Sequence, residues 1–234
     1  MDPRHLFMDE RLTGMCVYCG AQPDTRDHVP SKVLLDEPYP AQLPVVGACD
    51  WCNASFSLDE QYLACFIDCV ICGGTETAGL RRPNVKRILD GNPALQQRIE
   101  GSRRKDEAGN LLWEPEANRV RNVVLKLARG HTSYELYPKF EKPVEVTFAP
   151  LQVLREEERS AFEQLTSGKL DLCPEIGSRA LLRTFGKSPD RFEQSGDWIV
   201  VQPGRYRYAV AETGGVLARM VLSEYLACEV VWEV

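Results

Sequence analysis

Short apolar runs and helical stripes follow one another along this chain, and their order predicts a mixed sequence of strands and helices. Residues 25–35, TRDHVPSKVLL, read as a strand passing into a loop, and residues 43–48, LPVVGA, as the returning strand. Within 55–69, SFSLDEQYLACFIDC, the positions Leu58, Tyr62, Cys65, Phe66 and Cys69 fall on one face of a helix. That spacing makes Cys65 and Cys69 buried core thiols in preference to a second metal site shared with Cys72. Residues 91–110 read as a short helix followed by a loop or hairpin. Residues 116–130 read as a helix ending at Gly130, with Lys126 and Arg129 in its last turn. His131 would then lie just past a helix end, as a partner of its dipole. Farther on, 142–149 is a strand and 155–165 an exposed helix. Residues 197–233 form a meander of three or four strands joined at Pro203-Gly204 and Gly214-Gly215. Tyr206 and Tyr208 alternate on one of those strands, where they either stack bases or line one face of a small antiparallel sheet. The expected class is α+β, without repeats.

The cysteines add chemistry to this outline. Cys16 and Cys19 in CVYCG, and Cys49 and Cys52 in CDWCN, form two Cys-X-X-Cys pairs, enough for one tetrahedral zinc. The 29 residues between Cys19 and Cys49 exceed an ordinary zinc-ribbon gap, so a compact structure must be built inside the loop. Inside it lie Asp27 and His28. With four thiolates supplied, His28 is not needed as a ligand of that zinc. Asn53, directly after the last cysteine, also suits the N-cap of the helix that follows. Cys173 and Cys228 are isolated, and no role is assigned to them.

Cys-X-X-Cys, then Asp-His, then Cys-X-X-Cys followed at once by Asn resembles the HNH endonucleases of the ββα-metal type, over residues 14–70. The resemblance implies an N-terminal zinc-stapled ββα-metal module, placed at 1–75; the residue pattern beyond it gives an α+β region at 76–234, with a basic helical segment and a small antiparallel sheet. It implies that His28 is the general base, and that Asp27 and Asn53 hold a second, catalytic ion, Mg2+ or Mn2+. A histidine of ordinary pKa near 6.5 can take a proton from water near neutral pH, and a divalent ion can stabilise charge on the phosphoryl group and the leaving oxygen. The expected activity is metal-dependent nicking or cutting of DNA, with RNA the other polymer the same chemistry serves. The alternative is a catalytically inactive, zinc-stabilised module that binds nucleic acid or protein. The absence of the middle Asn common in the family, with Pro44 near its place, supports that alternative.

Charge bears on the partner. The chain of 234 residues carries a net charge of −6, unfavourable for binding phosphates. Residues 81–130, however, hold 12 Lys and Arg against 6 acids, so the rest of the chain carries −12. Arg81, Arg82, Lys86, Arg87, Arg103, Arg104 and Lys105 are the expected nucleic-acid contacts, with a solvated helical face as the other reading. No apolar run reaches the roughly 20 residues of a membrane span, and nine cysteines, an odd number, suit a reducing, cytoplasmic setting better than a disulfide framework. The C-terminal half is expected to position substrate or to mediate assembly, a homo-oligomer included.

Overall fold

The computed structural model describes residues 14–107, 109, 111–165, 178–184, 192–212 and 214–233. Cys173 and the first 13 residues of the expected N-terminal module lie outside them. Two short strands, β1 (Thr25–His28) and β2 (Val45–Ala48), pair antiparallel with His28 opposite Val45. Helix α1 (Asp50–Cys72) follows directly. Its N-cap is Cys49, whose sulfur accepts the Cys52 N–H, so Asn53 lies within the first turn and is not the cap. Tyr62, Cys65, Phe66 and Cys69 are buried as their spacing predicts, but Leu58 is exposed. Burial pushes the Cys65 and Cys69 thiols up to about 12, which keeps them protonated and inert. Gly73, left-handed at φ 75°, ends the helix.

Next come α2 (Pro83–Asp90), α3 (Pro93–Glu100) and a hairpin of β3 (Arg103–Lys105) with β4 (Leu111–Trp113). The sequence pattern anticipates α3 and the hairpin but not α2, whose eight residues carry two buried side chains, Val85 and Leu89. Helix α4 (Ala117–Glu135) then runs through the centre of the molecule. On one side it packs against α1 and β2, and on the other against the sheet. Asp59 of α1 holds it through Asn122 at 2.7 Å and Arg119 at 3.3 Å, and the Tyr62 hydroxyl accepts the Glu116 N–H at its start.

The remaining elements are β5 (Glu145–Pro150), α5 (Glu156–Glu163), α6 (Arg179–Thr184), β6 (Glu193–Ser195), β7 (Trp198–Gln202), β8 (Tyr206–Glu212), β9 (Gly215–Leu222) and β10 (Leu226–Glu233). Six of them form one antiparallel sheet in the order β5-β10-β9-β8-β7-β6. Two joins fall where Pro203-Gly204 and Gly214 predict them. The join between β9 and β10 uses Ser223 and Glu224 at φ 57° and 46°, a left-handed turn without glycine that composition does not reveal. Arg207 holds that turn by ion-pairing with Glu224 at 3.0 Å. Phe162 of α5 packs with Leu151 and Trp198 on the outer sheet face, while the inner face joins a buried cluster continuous from Cys16 to Trp232. Packing therefore does not lapse at residue 75.

The predicted helix end at Gly130 is corrected: α4 continues to Glu135. Gly130 is small for another reason, since a Cβ there would lie 2.6 and 2.8 Å from the methyl carbons of Val29, the residue after β1. His131 is correspondingly not at a helix end. It is fully buried, stacked on Tyr208 at 3.7 Å between ring centroids, with Nε2 2.8 Å from the Tyr206 hydroxyl. Tyr208 donates to Glu135 at 2.6 Å, and Arg183 of α6 pairs with the same carboxylate. Both tyrosines thus line the inner face of the sheet and are closed to bases. Burial holds the His131 imidazole well below its ordinary pKa, so it is neutral and not a dipole partner.

Two outcomes follow from this packing. Gly130→Ala adds helix propensity of about 1 kcal/mol, but overpacking against branched Val29 costs about 1–3 kcal/mol, so thermal unfolding should show a net loss. A double-mutant cycle with Val29→Ala should show positive coupling, and a more stable Gly130→Ala protein would refute the close approach. For His131 the folded pKa is depressed, so the unfolded chain binds the proton first and stability falls as pH drops through about 6.5. Between pH 7.5 and 5.5 wild type should lose about 1.4 kcal/mol more than His131→Gln in denaturant titrations. Parallel losses in the two proteins would contradict this.

Candidate functional site

The four knuckle sulfurs lie within 4.8 Å of one another, with Cys19 Sγ and Cys49 Sγ 3.7 Å apart. A tetrahedral zinc with sulfurs at about 2.3 Å would set them about 3.8 Å apart, so the cluster can hold a metal ion and the donor set suits zinc. Local structure makes this possible. Gly20 at φ 77° lets the first knuckle turn back, with its N–H on the Cys16 carbonyl at 2.8 Å. Val17 N–H bonds the Gly47 carbonyl, which fastens the knuckle to β2. The second pair sits at the start of α1, where the Cys52 N–H is aimed at Cys49 and helps to hold that thiol below its ordinary pKa. Burial raises Cys52, and a bound cation would let the whole set ionise. Among the described residues this is the one such grouping of metal-ligating side chains.

Alternation along β1 sends its neighbouring side chains to opposite faces. Arg26 is exposed and His28 half-buried, while Asp27 is turned inward and only 7% exposed. Burial first, and then the Lys32 ammonium, lowers the His28 pKa, against the opposing pull of Asp27. Its Nδ1 is buried and finds no hydrogen-bond partner among the described residues. The imidazole is thus neutral near pH 7 and able to accept a proton. Asn53 reaches β1 from the first turn of α1, its Nδ2 donating to the Arg26 carbonyl at 3.5 Å. The loop after His28 is held by the Val29 N–H on the Pro44 carbonyl at 2.9 Å, a backbone bond near the position of the absent Asn.

Asp27 meets a different set of groups. Its Oδ2 accepts from the Tyr18 hydroxyl at 2.7 Å and from Lys126 Nζ of α4 at 2.7 Å. Lys126 also donates to Glu60 Oε1 of α1 at 2.5 Å and to Ser31 Oγ at 2.7 Å, and Ser31 donates to Glu60. Of the three residues expected to form one centre, Asn53 thus joins the strand that carries His28, and Asp27 is drawn into the interior. Sequence spacing gives no sign of Lys126 or Glu60, which lie far away along the chain and look like ordinary charged helix positions. Arg26 and Lys32 stand beside the motif, but nothing in their spacing distinguishes them from other surface cations.

The expected phosphate-binding residues divide. Arg82 is buried, with Nε on Asp36 at 2.7 Å and Nη2 on the carbonyls of Val33 and Leu35 at 2.8 and 2.6 Å. Asp36 is shared with Arg205 at 2.9 Å, so Arg82 is an internal clamp on the loop beyond His28 and is not available to phosphate. Arg103 pairs with Glu100 and lies over Trp113 at 5.2 Å, and Arg104 bonds the Gly101 carbonyl. Lys105 is exposed on β3, Arg81 and Arg87 are exposed around α2, and Lys86 is half-buried.

No family model, curated protein or solved structure matches the chain. No helix among the described residues is long and apolar enough to cross a membrane.

Elemental analysis of the purified chain should find one zinc bound per molecule, and Cys49→Ser should lose both the ion and much of the thermal stability, because ligand binding and local folding are coupled. Full zinc content with unchanged stability in that variant would dismiss the assignment.

Proposed function

We propose that this chain is an HNH-like endonuclease hydrolysing phosphodiester bonds in nucleic acid, DNA first, with zinc at the four cysteines and His28 as the base. The observation that carries the reading is His28 itself. It is a half-buried imidazole kept neutral by burial and by Lys32, at the end of a hairpin whose next element is a helix that starts at two of the four clustered cysteines. A neutral imidazole takes the proton of the attacking water as the phosphorus–oxygen bond forms. Arg26, on the same strand face, and Lys32 supply positive charge where the phosphoryl group would gain negative charge.

A divalent ion at Asp27 and Asn53 would supply Lewis-acid charge, but the residues do not fit that role together. Asp27 Oδ2 already carries a hydroxyl and an ammonium, so the carboxylate charge an ion would need is largely spent inside the protein, and Asp27 could offer only its other oxygen beside the neutral Asn53 amide oxygen. The chain's own contribution is then carried by His28, Arg26 and Lys32. The same engagement of Asp27 favours a second reading, a zinc-stabilised module that binds nucleic acid without cutting it.

Supercoiled plasmid incubated with the zinc-loaded protein, with and without added Mg2+ or Mn2+, tests both. Wild type should nick or cut, and His28→Ala should lose several orders of magnitude while keeping zinc and DNA binding. Equal cleavage by the two proteins would move the base elsewhere. Binding without cleavage of any DNA or RNA would establish the second reading. In either case, changing Arg81, Lys86 and Arg87 together to Glu should flatten the slope of log affinity against log salt by about 0.9 for each phosphate no longer neutralised. An unchanged slope would remove α2 from the interface.

A further inference from the structure

Lys126 is 1% exposed, and each of its three N–H donors meets an oxygen acceptor: Asp27 Oδ2 at 2.7 Å, Glu60 Oε1 at 2.5 Å and Ser31 Oγ at 2.7 Å. The rings of Tyr18 and Phe56 flank the ammonium at 5.9 and 5.8 Å from their centroids. Two carboxylates and a hydroxyl, contributed by β1, the following loop and α1, make a hard-oxygen set of the kind divalent cations prefer. The set is complete without such an ion, because α4 inserts a cation of its own. We propose that Lys126 is the resident cation of this buried site, standing where a divalent ion would otherwise sit between Asp27 and Glu60, so that Asp27 is a structural counter-ion and not a metal ligand.

The physical case rests on charge and space. Two buried carboxylates around one point demand a cation, since an unpaired buried charge is strongly unfavourable. A divalent ion would have to displace an ammonium whose donors are all matched, and the displaced ammonium would be left without water or partner in a site that excludes solvent. The Tyr18 hydroxyl, on the same Asp27 oxygen, further occupies its lone pairs. Lys126 is too deeply buried to touch a phosphate, so it acts through Asp27 as a positioning residue for β1 and for the adjoining His28. From the nuclease reading this takes only the expectation that it revises, that Asp27 binds a metal.

The test uses Mn2+ alone on the full, zinc-loaded chain, with no cleavage step, so a failure of the nuclease reading leaves it intact. Wild type and Asp27→Asn should show the same Mn2+ binding by electron paramagnetic resonance. Lys126→Met, which keeps the length of the stem and removes the charge, should gain at least tenfold in Mn2+ affinity. The gain should vanish in Lys126→Met combined with Asp27→Asn or Glu60→Gln. Should Lys126→Met not fold without metal, recovery of its folded circular dichroism by Mn2+ is the same result, and failure of Mn2+ to restore it opposes the proposal. Paramagnetic broadening gives a second readout: Mn2+ that broadens the amides of β1 around Asp27 in wild type but not in Asp27→Asn overturns the proposal, and broadening that is absent or identical in the two proteins supports it. A folded Lys126→Met with no added affinity overturns it as well.

Discussion

A full positive charge in the interior has to be matched at every donor, and Lys126 is matched only when β1, the loop after it, α1 and α4 all meet. Buried ion pairs are weak sources of net stability because desolvation offsets their attraction, yet losing one partner costs about 3–5 kcal/mol. Such a group therefore selects one arrangement over others. A one-residue slip of β1 against β2 would turn Asp27 to solvent and His28 inward, leaving the ammonium with one carboxylate in place of two. The outward aim of His28 is in this sense a consequence of the inward aim of Asp27.

Tyr18 joins that network to the cysteine site. It lies between Cys16 and Cys19 in the first knuckle, and its hydroxyl meets Asp27 while its ring meets Phe56 edge-on at 5.2 Å. Closing the four sulfurs around an ion would set the knuckle, the knuckle sets Tyr18, and Tyr18 restrains the carboxylate beside the candidate base. Arg129 of α4 reaches the Tyr18 carbonyl at 3.4 Å, so the long helix touches both the knuckle and the carboxylate it restrains. Because the buried cluster is continuous from the knuckle to β10, the cysteine site and the C-terminal sheet share one interior.

What can be seen in the sequence is whatever local spacing encodes. Paired cysteines at knuckle spacing, apolar stripes at 3.6 and turns at Pro203-Gly204 and Gly214 all reflect interactions between near neighbours, and those features agree with the structure. Gly130 shows the limit: it has the form of a helix stop, but its size answers to Val29, roughly a hundred residues earlier. The expectation for His131 fails for the same reason, since its place depends on where that helix ends. Asp27 is legible as part of a motif, whereas its partners Glu60 and Lys126 are separated from it by tens of residues and carry no signature. Ser223 and Glu224 form a left-handed turn without glycine, so composition is silent there.

Basic residues clustered in sequence become a positive surface only where their side chains reach solvent. Lys126 and Arg82 are internal, Arg119 is tied to Asp59 and Glu116, and Arg129 and Arg121 bond backbone carbonyls. Much of the surplus between residues 81 and 130 thus fastens α2 and α4 to the elements around β1. The same fastening gives the remaining exposed charge an address. Arg82, the N-cap residue of α2, bonds the carbonyls of Val33 and Leu35, beyond His28, so Arg81 just before it and Arg87 on the helix are carried by a segment latched to the loop of the candidate site. An interior arginine that no phosphate can reach would in this way determine where a phosphate backbone meets the protein.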